Sequence, residues 1–306
     1  MLPPNITVVT ATYNRAHLLR RLYDSLAKQS FTNFEWIVVD DGSSDDTTQI
    51  LSALPSTAPF SIRLLQQENS GKHVALNKAI VAATGELTAI VDSDDQLVPM
   101  ALETIWSAWA RVPEYDRNDF SGVAALCADM TGRIIGTPFS ADELDDYAVN
   151  QLYRQGAGDK WLVHQTRFLK RHPFPVFTGE KFLAEGAVWD ILAARYKIRF
   201  INQPLQIVQY QPDGLSARSV ALRASNPVGA AHYYRQLARL RISSRSARIA
   251  KVNEARFTLH ARTAGKRLPF RQLFCLRRLM WSTIGLAMFA RDRWQLRNRN
   301  MTSAAL

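Results

Sequence analysis

A 306-residue chain that is 47% hydrophobic, with 13 prolines and 14 glycines, is long and apolar enough to bury one large core or two smaller ones. Two cysteines far apart among apolar neighbours, Cys127 and Cys275, exclude a disulfide scaffold and read as buried free thiols in a reducing compartment. The formal net charge of +11 is uneven: residues 218–306 hold 19 of the 38 Lys and Arg but 2 of the 27 Asp and Glu, a basic tail on an acidic body, so a boundary is expected near 217.

The first hundred residues alternate strand and helix patterns. Ile6 to Thr10 is a short apolar strand, and Arg15 to Gln29 carries Leu18, Leu19, Leu22 and Leu26 at helical spacing behind Asn14 as N-cap. Phe34 to Val39 is a second strand, and Asp45 or Asp46 caps the helix that runs through Ile50 to Leu54. Ser61 to Leu65 is a third strand, Gly71 leads a helix over Lys72 to Ala83, and Glu86 to Val91 is the fourth strand. Strands separated by helical crossovers imply a parallel sheet of the α/β class.

Pro99 begins a helix to about Val112. Val123 to Asp129 and Arg133 to Ile135 are expected to form a hairpin around Met130-Thr131-Gly132. Leu144 to Arg154 has helical spacing, Trp161 to Gln165 is a strand, and Phe182 to Tyr196 is an amphipathic helix. Arg199-Phe200-Ile201 and Gln206 to Gln211 read as closing strands, and after Pro227 the chain is mostly helical. The N-terminus shows no positively charged and apolar leader pattern, and the longest apolar run, Met280 to Ala290, is too short to span a bilayer. These two readings make a cytoplasmic location the expectation.

Acidic residues concentrate where the pattern predicts strand ends or helix starts. Asp40 and Asp41 follow the second strand, Asp92-Ser93-Asp94-Asp95 follows the fourth, and Glu185 precedes a late helix. In a parallel sheet the first two clusters share the carboxyl edge, where open α/β sheets bind ligands. Crowded carboxylates repel unless a cation lies between them, and a hard divalent ion with oxygen ligands is the usual solution. The loop after strand one, Thr10 to Arg15, adds an aromatic face at Tyr13 and a guanidinium at Arg15 on the same edge. Lys72 and His73 at a helix start add cationic and N–H groups for an anion. The other histidines, His17, His164, His172, His232 and His260, show no zinc-ligand spacing.

Four segments together carry a resemblance: Val9-Thr10-Ala11-Thr12-Tyr13-Asn14-Arg15, Val38 to Asp45, Asn69 to Ala79, and Gly85 to Asp95. In order and spacing over about residues 4–100 they resemble the family 2 glycosyltransferases of the GT-A fold, a Rossmann-like, mostly parallel sheet flanked by helices. The resemblance extends less tightly to about residue 215. It implies a catalytic body over 1–217, its first hundred residues holding the donor and the rest the acceptor, and a basic helical region over 218–306. It implies that Tyr13 packs on the base of a nucleotide-sugar, with Thr10 lining that pocket and Asp40 hydrogen-bonding the base, uracil being expected. Asp92, with Ser93 beside it, would contact ribose or sugar, and Asp94 would hold Mn²⁺ or Mg²⁺ against the diphosphate, with Asp95 nearby.

The family inverts configuration, which requires a base on the acceptor side. Many relatives carry Glu-Asp at the start of a late helix; here Glu185 is chosen and Glu180, read as a surface charge, is the reserve. Asp213 stands near the place of a histidine common in relatives. The acceptor implied is a lipid-linked or cell-surface glycan, with the enzyme peripheral on the inner face of the cell membrane. Arginines interleaved with Trp281, Phe289 and Trp294 set an anionic membrane surface ahead of nucleic acid as the tail's partner. Two alternatives remain. A nucleotidyltransferase would want a glycine-rich loop where Thr10 to Arg15 has no glycine, and a non-catalytic binding module would make the tail the function.

Overall fold

The computed structural model describes residues 3–54, 58–153, 157–211, 214, 218–240, 242–268 and 276–303, with the backbone alone given at 276–280, 282 and 296–303. Asp213 and Cys275 lie outside the described residues. The chain divides into two compact units: residues 1–174 with 191–211, and residues 175–190 with 212–306.

In the first unit, β1 (Ile6–Thr12), α1 (Ala16–Ala27), β2 (Phe34–Asp40), α2 (Thr47–Ala53), β3 (Ser61–Gln66), α3 (Lys72–Ala82) and β4 (Leu87–Ile90) alternate as expected. β1 pairs in parallel with β2 on one side and β4 on the other, and β3 adds in parallel outside β2. β2 is buried along its whole length, as a strand covered on both faces must be, and its residues Phe34 to Val39 form an unbroken apolar run apart from Glu35. β5 (Gln96–Leu97) and α4 (Ala101–Ala110) follow. β6 (Phe120–Ala128), β7 (Glu143–Tyr147), β8 (Lys160–Gln165) and β9 (Lys197–Ile207) then extend the sheet in mixed sense, with α5 (Ala148–Leu152) and α6 (Thr166–Arg171) between strands, and α7 (Gly186–Arg195) has residues 186–190 in the second unit and 191–195 in the first. Among the described residues nine strands form one sheet in the order β3-β2-β1-β4-β8-β6-β9-β5, with β7 also on β9. α1 and α4 bury Leu19, Leu22, Ile105 and Trp109 against one face of the sheet, where Trp36 and Val8 are fully enclosed.

Four local expectations change. Leu144 to Tyr147 is part of the edge strand β7, not a helix, and α5 covers only Ala148–Leu152. β7 pairs with β9, Leu144 packs with Phe200, and the Arg199 guanidinium forks onto Asp145 at 2.8 Å twice, so tertiary pairing overrides the helical spacing. The hairpin after β6 has its turn, closed by Asp129 accepting from the Thr131 and Arg133 amides, but its return arm is a single bridge, Ala128 to Ile134. The two closing strands are one, β9, whose pairing to β6 slips near Pro204. The late helix starts at Gly186 rather than Phe182.

The second unit joins Pro175–Asp190 to α8 (Ser219–Ser225), α9 (Pro227–Leu237), α10 (Ser244–Thr263) and α11 (Leu276–Ser303). Its core includes Ala230, Ala231 and Phe257, with Tyr234 stacked on Phe257. Glu180 is not a surface charge. It is 4% exposed and accepts the Val228 and Gly229 amides at 2.9 and 2.7 Å, at the start of α9, with Lys266 2.9 Å away. A carboxylate on the first free N–H groups of a helix satisfies orphan donors and opposes the helix dipole. Both Glu180 oxygens are therefore spent on architecture. No described helix is long and apolar enough to cross a membrane.

Candidate functional site

Three strand ends meet at the carboxyl edge of the parallel half of the sheet. The loops after β1 and β2 are zipped together: the Asp41 amide donates to the Thr12 carbonyl, Asn14 N–H to Ser43 Oγ at 2.9 Å, and Ser44 N–H to Asn14 Oδ1 at 2.8 Å. Asn14 takes a left-handed φ of 51° in doing so and does not cap α1. That role passes to Asp45, whose two oxygens accept the Ala16 and Thr47 amides, tying the starts of α1 and α2 to one carboxylate. Tyr13 is thereby pushed outward, 46% exposed, as a platform at the edge. Thr10 is wholly buried. Its hydroxyl donates to the Val91 carbonyl at 2.8 Å and accepts from the Trp36 indole at 3.0 Å, so its side chain braces β1 against β4 rather than facing a ligand.

Asp40 ends β2 with its carboxylate accepting the Ser43 amide at 2.9 Å and the Thr48 hydroxyl. It lines an open cavity of about 570 Å³ together with Ser43, Gln67, Glu68 and Asn69. Of this lining, Asn69 heads one of the four segments that carry the resemblance, whereas nothing local in the sequence marks Gln66, Gln67 or Glu68. Asp41 does different work. Its oxygens accept from Gln67 Nε2, Ser70 N and Gly71 N, each at 2.8 Å, and so fasten the start of α3 to β2. Gly42, at φ 79°, is required there, since a Cβ would stand 2.7 Å from the Asn69 amide nitrogen.

Asp92, Asp94 and Asp95 follow β4, and one carboxylate oxygen from each lies within 4.8 Å of the other two. Lys72, at the start of α3, reaches Asp92 at 2.7 Å. Ser93 is buried between them. Burial and repulsion from Asp92 push the Asp94 carboxyl up, while Arg15 and Lys72 pull it back. Burial and the Asp92 and Asp94 charges push Asp95 up to about 8. A shared cation is the arrangement such a set favours, and three hard oxygen donors fit a divalent ion. The structure thus gathers Arg15, Lys72, Asp92, Asp94 and Asp95 into one constellation. His73 is buried in α3.

Supports from far along the chain complete this corner. Gln206 Nε2 donates to Asp95 at 2.7 Å and the Gln209 amide to its other oxygen at 3.3 Å. Arg21, from α1, donates to the Asp94 carbonyl and to the Gln209 side chain. No sequence signal marked these contacts of Arg21, Gln206 and Gln209, since partners 73 to 188 positions away leave no local pattern. Glu185 belongs to the second unit, half-buried at the threshold of α7, where Trp189 Nε1 donates to it at 3.2 Å.

Residues 7–116 match the glycosyl transferase family 2 domain. The glycosyltransferase GlyG of Streptococcus pneumoniae is 30% identical over 217 residues, 66% of this chain and 69% of that protein. The chain belongs to glycosyltransferase family 2. An uncharacterized Nostoc glycosyltransferase is 37% identical over 118 residues, 39% of this chain but only 35% of its own length, so this chain spans about a third of that relative. Among solved structures, Staphylococcus aureus TarS 1-349 in complex with UDP-GlcNAc superposes with a TM-score of 0.58 at 22% identity, over 93% of this chain and 80% of that one. A Pyrobaculum calidifontis mannosyltransferase in complex with GDP-Man and Mn²⁺ gives 0.54 at 18% identity, over 96% and 88%. These likenesses establish that this family 2 member has the fold of those enzymes. Family membership displaces the nucleotidyltransferase alternative.

Proposed function

We propose that this family 2 member is an inverting glycosyltransferase that moves a sugar from a nucleotide-sugar, a UDP-sugar first, to a hydroxyl of a lipid-linked or cell-surface glycan. The observation that carries the reading is the convergence of Asp92, Asp94 and Asp95 within 4.8 Å at the carboxyl edge, flanked by Lys72 and Arg15. The base of the nucleotide would lie between Tyr13 and the Asp40 cavity, its ribose toward Asp92 and Ser93. Asp94, aided by Asp92 and Asp95, would hold Mn²⁺ or Mg²⁺. When bound, such an ion would act as a Lewis acid on the departing diphosphate. Arg15 and Lys72 would bind phosphate oxygens, and the half-buried Arg21 and the buried Gln206 would keep the carboxylates in place.

Glu185 would take the proton of the acceptor hydroxyl as its oxygen bonds to the anomeric carbon. The bond from that carbon to the diphosphate oxygen breaks on the opposite side, and the diphosphate leaves with the electron pair. Support for uridine comes from TarS, which was solved with UDP-GlcNAc; the mannosyltransferase, solved with GDP-Man and Mn²⁺, makes guanosine the rival base.

Titration calorimetry of UDP with and without Mn²⁺, on wild type and Asp94→Asn, tests the donor site. Binding that needs Mn²⁺ and drops at least tenfold in the variant is expected. GDP bound in preference to UDP would replace the uridine assignment, and failure of both would sink the donor site.

A further inference from the structure

Helix α11 runs for 28 residues, about 42 Å at 1.5 Å per residue. One face is committed inward: Gly285 and Asp292 are buried, and Phe289 meets the His260 ring edge-on at 4.7 Å. Opposite that face Thr283, Ala287, Ala290 and Trp294 fall in one line at helical spacing, all exposed, Trp294 by 65%. Leu286 and Arg293 form one shoulder of this line, and Ile284 and Arg291 form the other. All four are exposed. The outward face thus mixes Trp294 and small residues with Ile284 and Leu286, and Arg291 and Arg293 stand beside these apolar side chains, so that long cations can reach lipid phosphates while their stems stay apolar.

The charge is arranged to match. The two acids after residue 217 are both turned inward: Glu254 pairs with Arg235 at 3.3 Å, and Asp292 is held by Arg256 at 2.6 Å and His260 at 3.1 Å. No described carboxylate of this segment therefore faces solvent, while Arg245, Arg248, Lys251, Arg291 and Arg293 are all exposed. We propose that the outward face of α11 docks on an anionic bilayer, with Trp294, Leu286 and Ile284 at the acyl boundary and Arg291 and Arg293 on lipid phosphates. A nucleic acid would use the arginines but give Leu286 and Ile284 nothing to fill. A second copy would cover Trp294, Leu286 and Ile284 but set arginine against arginine. The docking deepens the lipid-linked acceptor reading and rests on it for its purpose alone, since bilayer binding and donor binding are measured separately.

The test is co-sedimentation of the full chain with vesicles of phosphatidylcholine, alone or with phosphatidylglycerol, with UDP calorimetry on every variant. Wild type is expected to bind the anionic vesicles and not the neutral ones. Arg291→Gln with Arg293→Gln should weaken partition about thirtyfold, from about fivefold per arginine. Trp294→Ser should weaken it about tenfold, and UDP binding should be unchanged in all. Three outcomes would overturn the proposal: no anionic-vesicle binding by a wild type that still binds UDP, equal partition of wild type and variants, or competition by RNA lost in the same variants. A lipid-free dimer that Trp294→Ser breaks would give the face to a second copy. Vesicle binding without UDP binding leaves this inference standing and removes the donor reading alone.

Discussion

Adjacent aspartates after β2 show how little a residue's type decides its work. Asp40 faces the cavity, whereas Asp41 spends both oxygens on three donors that fasten α3, the helix that carries Lys72 to Asp92. Asp41→Asn would set an NH₂ group against an N–H, leaving a buried donor without an acceptor. Losing a charged acceptor of this kind costs about 2–3 kcal/mol. Urea unfolding of this variant should show that loss at an unchanged m-value. A loss under about 0.5 kcal/mol, the size of an ordinary surface change, would mean something else holds the loop. Asp94→Asn should not share the penalty, because burial and Asp92 already disfavour its charge in the fold. Site and scaffold carboxylates are thereby separable by stability alone.

At the scale of elements, what was legible in the sequence was what is local. The crossovers from β1 to β4 announce themselves in alternating apolar runs and helical stripes, and so does the carboxyl-edge cluster, because each strand end is read next to its own strand. β7 was misread since Leu144, Ala148 and Leu152 share helical spacing, and only the distant Arg199 fork and β9 pairing turn Glu143–Tyr147 into a strand. Glu180 looked like a surface charge because its donors, Val228 and Gly229, lie 48 and 49 residues on. Helix contact is equally hidden at Gly285, where an added Cβ would stand 2.9 Å from Ala255 Cβ and 3.0 Å from Val252 O and Arg256 N of α10. Alanine there gains up to about 1 kcal/mol in helix propensity. Overpacking against backbone that cannot rotate away costs about 1–3 kcal/mol, so the clash should win. Gly285→Ala is expected to speed amide exchange along α11, and slower exchange would show that the two helices yield.

At the scale of the whole molecule, the carboxylate cluster and the proposed base lie in different units and can be tested apart. The carboxylate cluster and its cationic neighbours are in the first, and Glu185, held by Trp189, is in the second. Donor binding should then not depend on the Glu185 carboxylate. Glu185→Gln keeps the side chain's shape and its contact with Trp189 but removes the group that takes the proton. It should leave UDP affinity within about twofold, and it should cut turnover by about 10²–10⁴, the usual contribution of a general base. Calorimetry beside a steady-state assay of UDP release separates the cases. Turnover kept would move the base to another side chain. Affinity lost with turnover would place Glu185 on the donor instead of the acceptor hydroxyl.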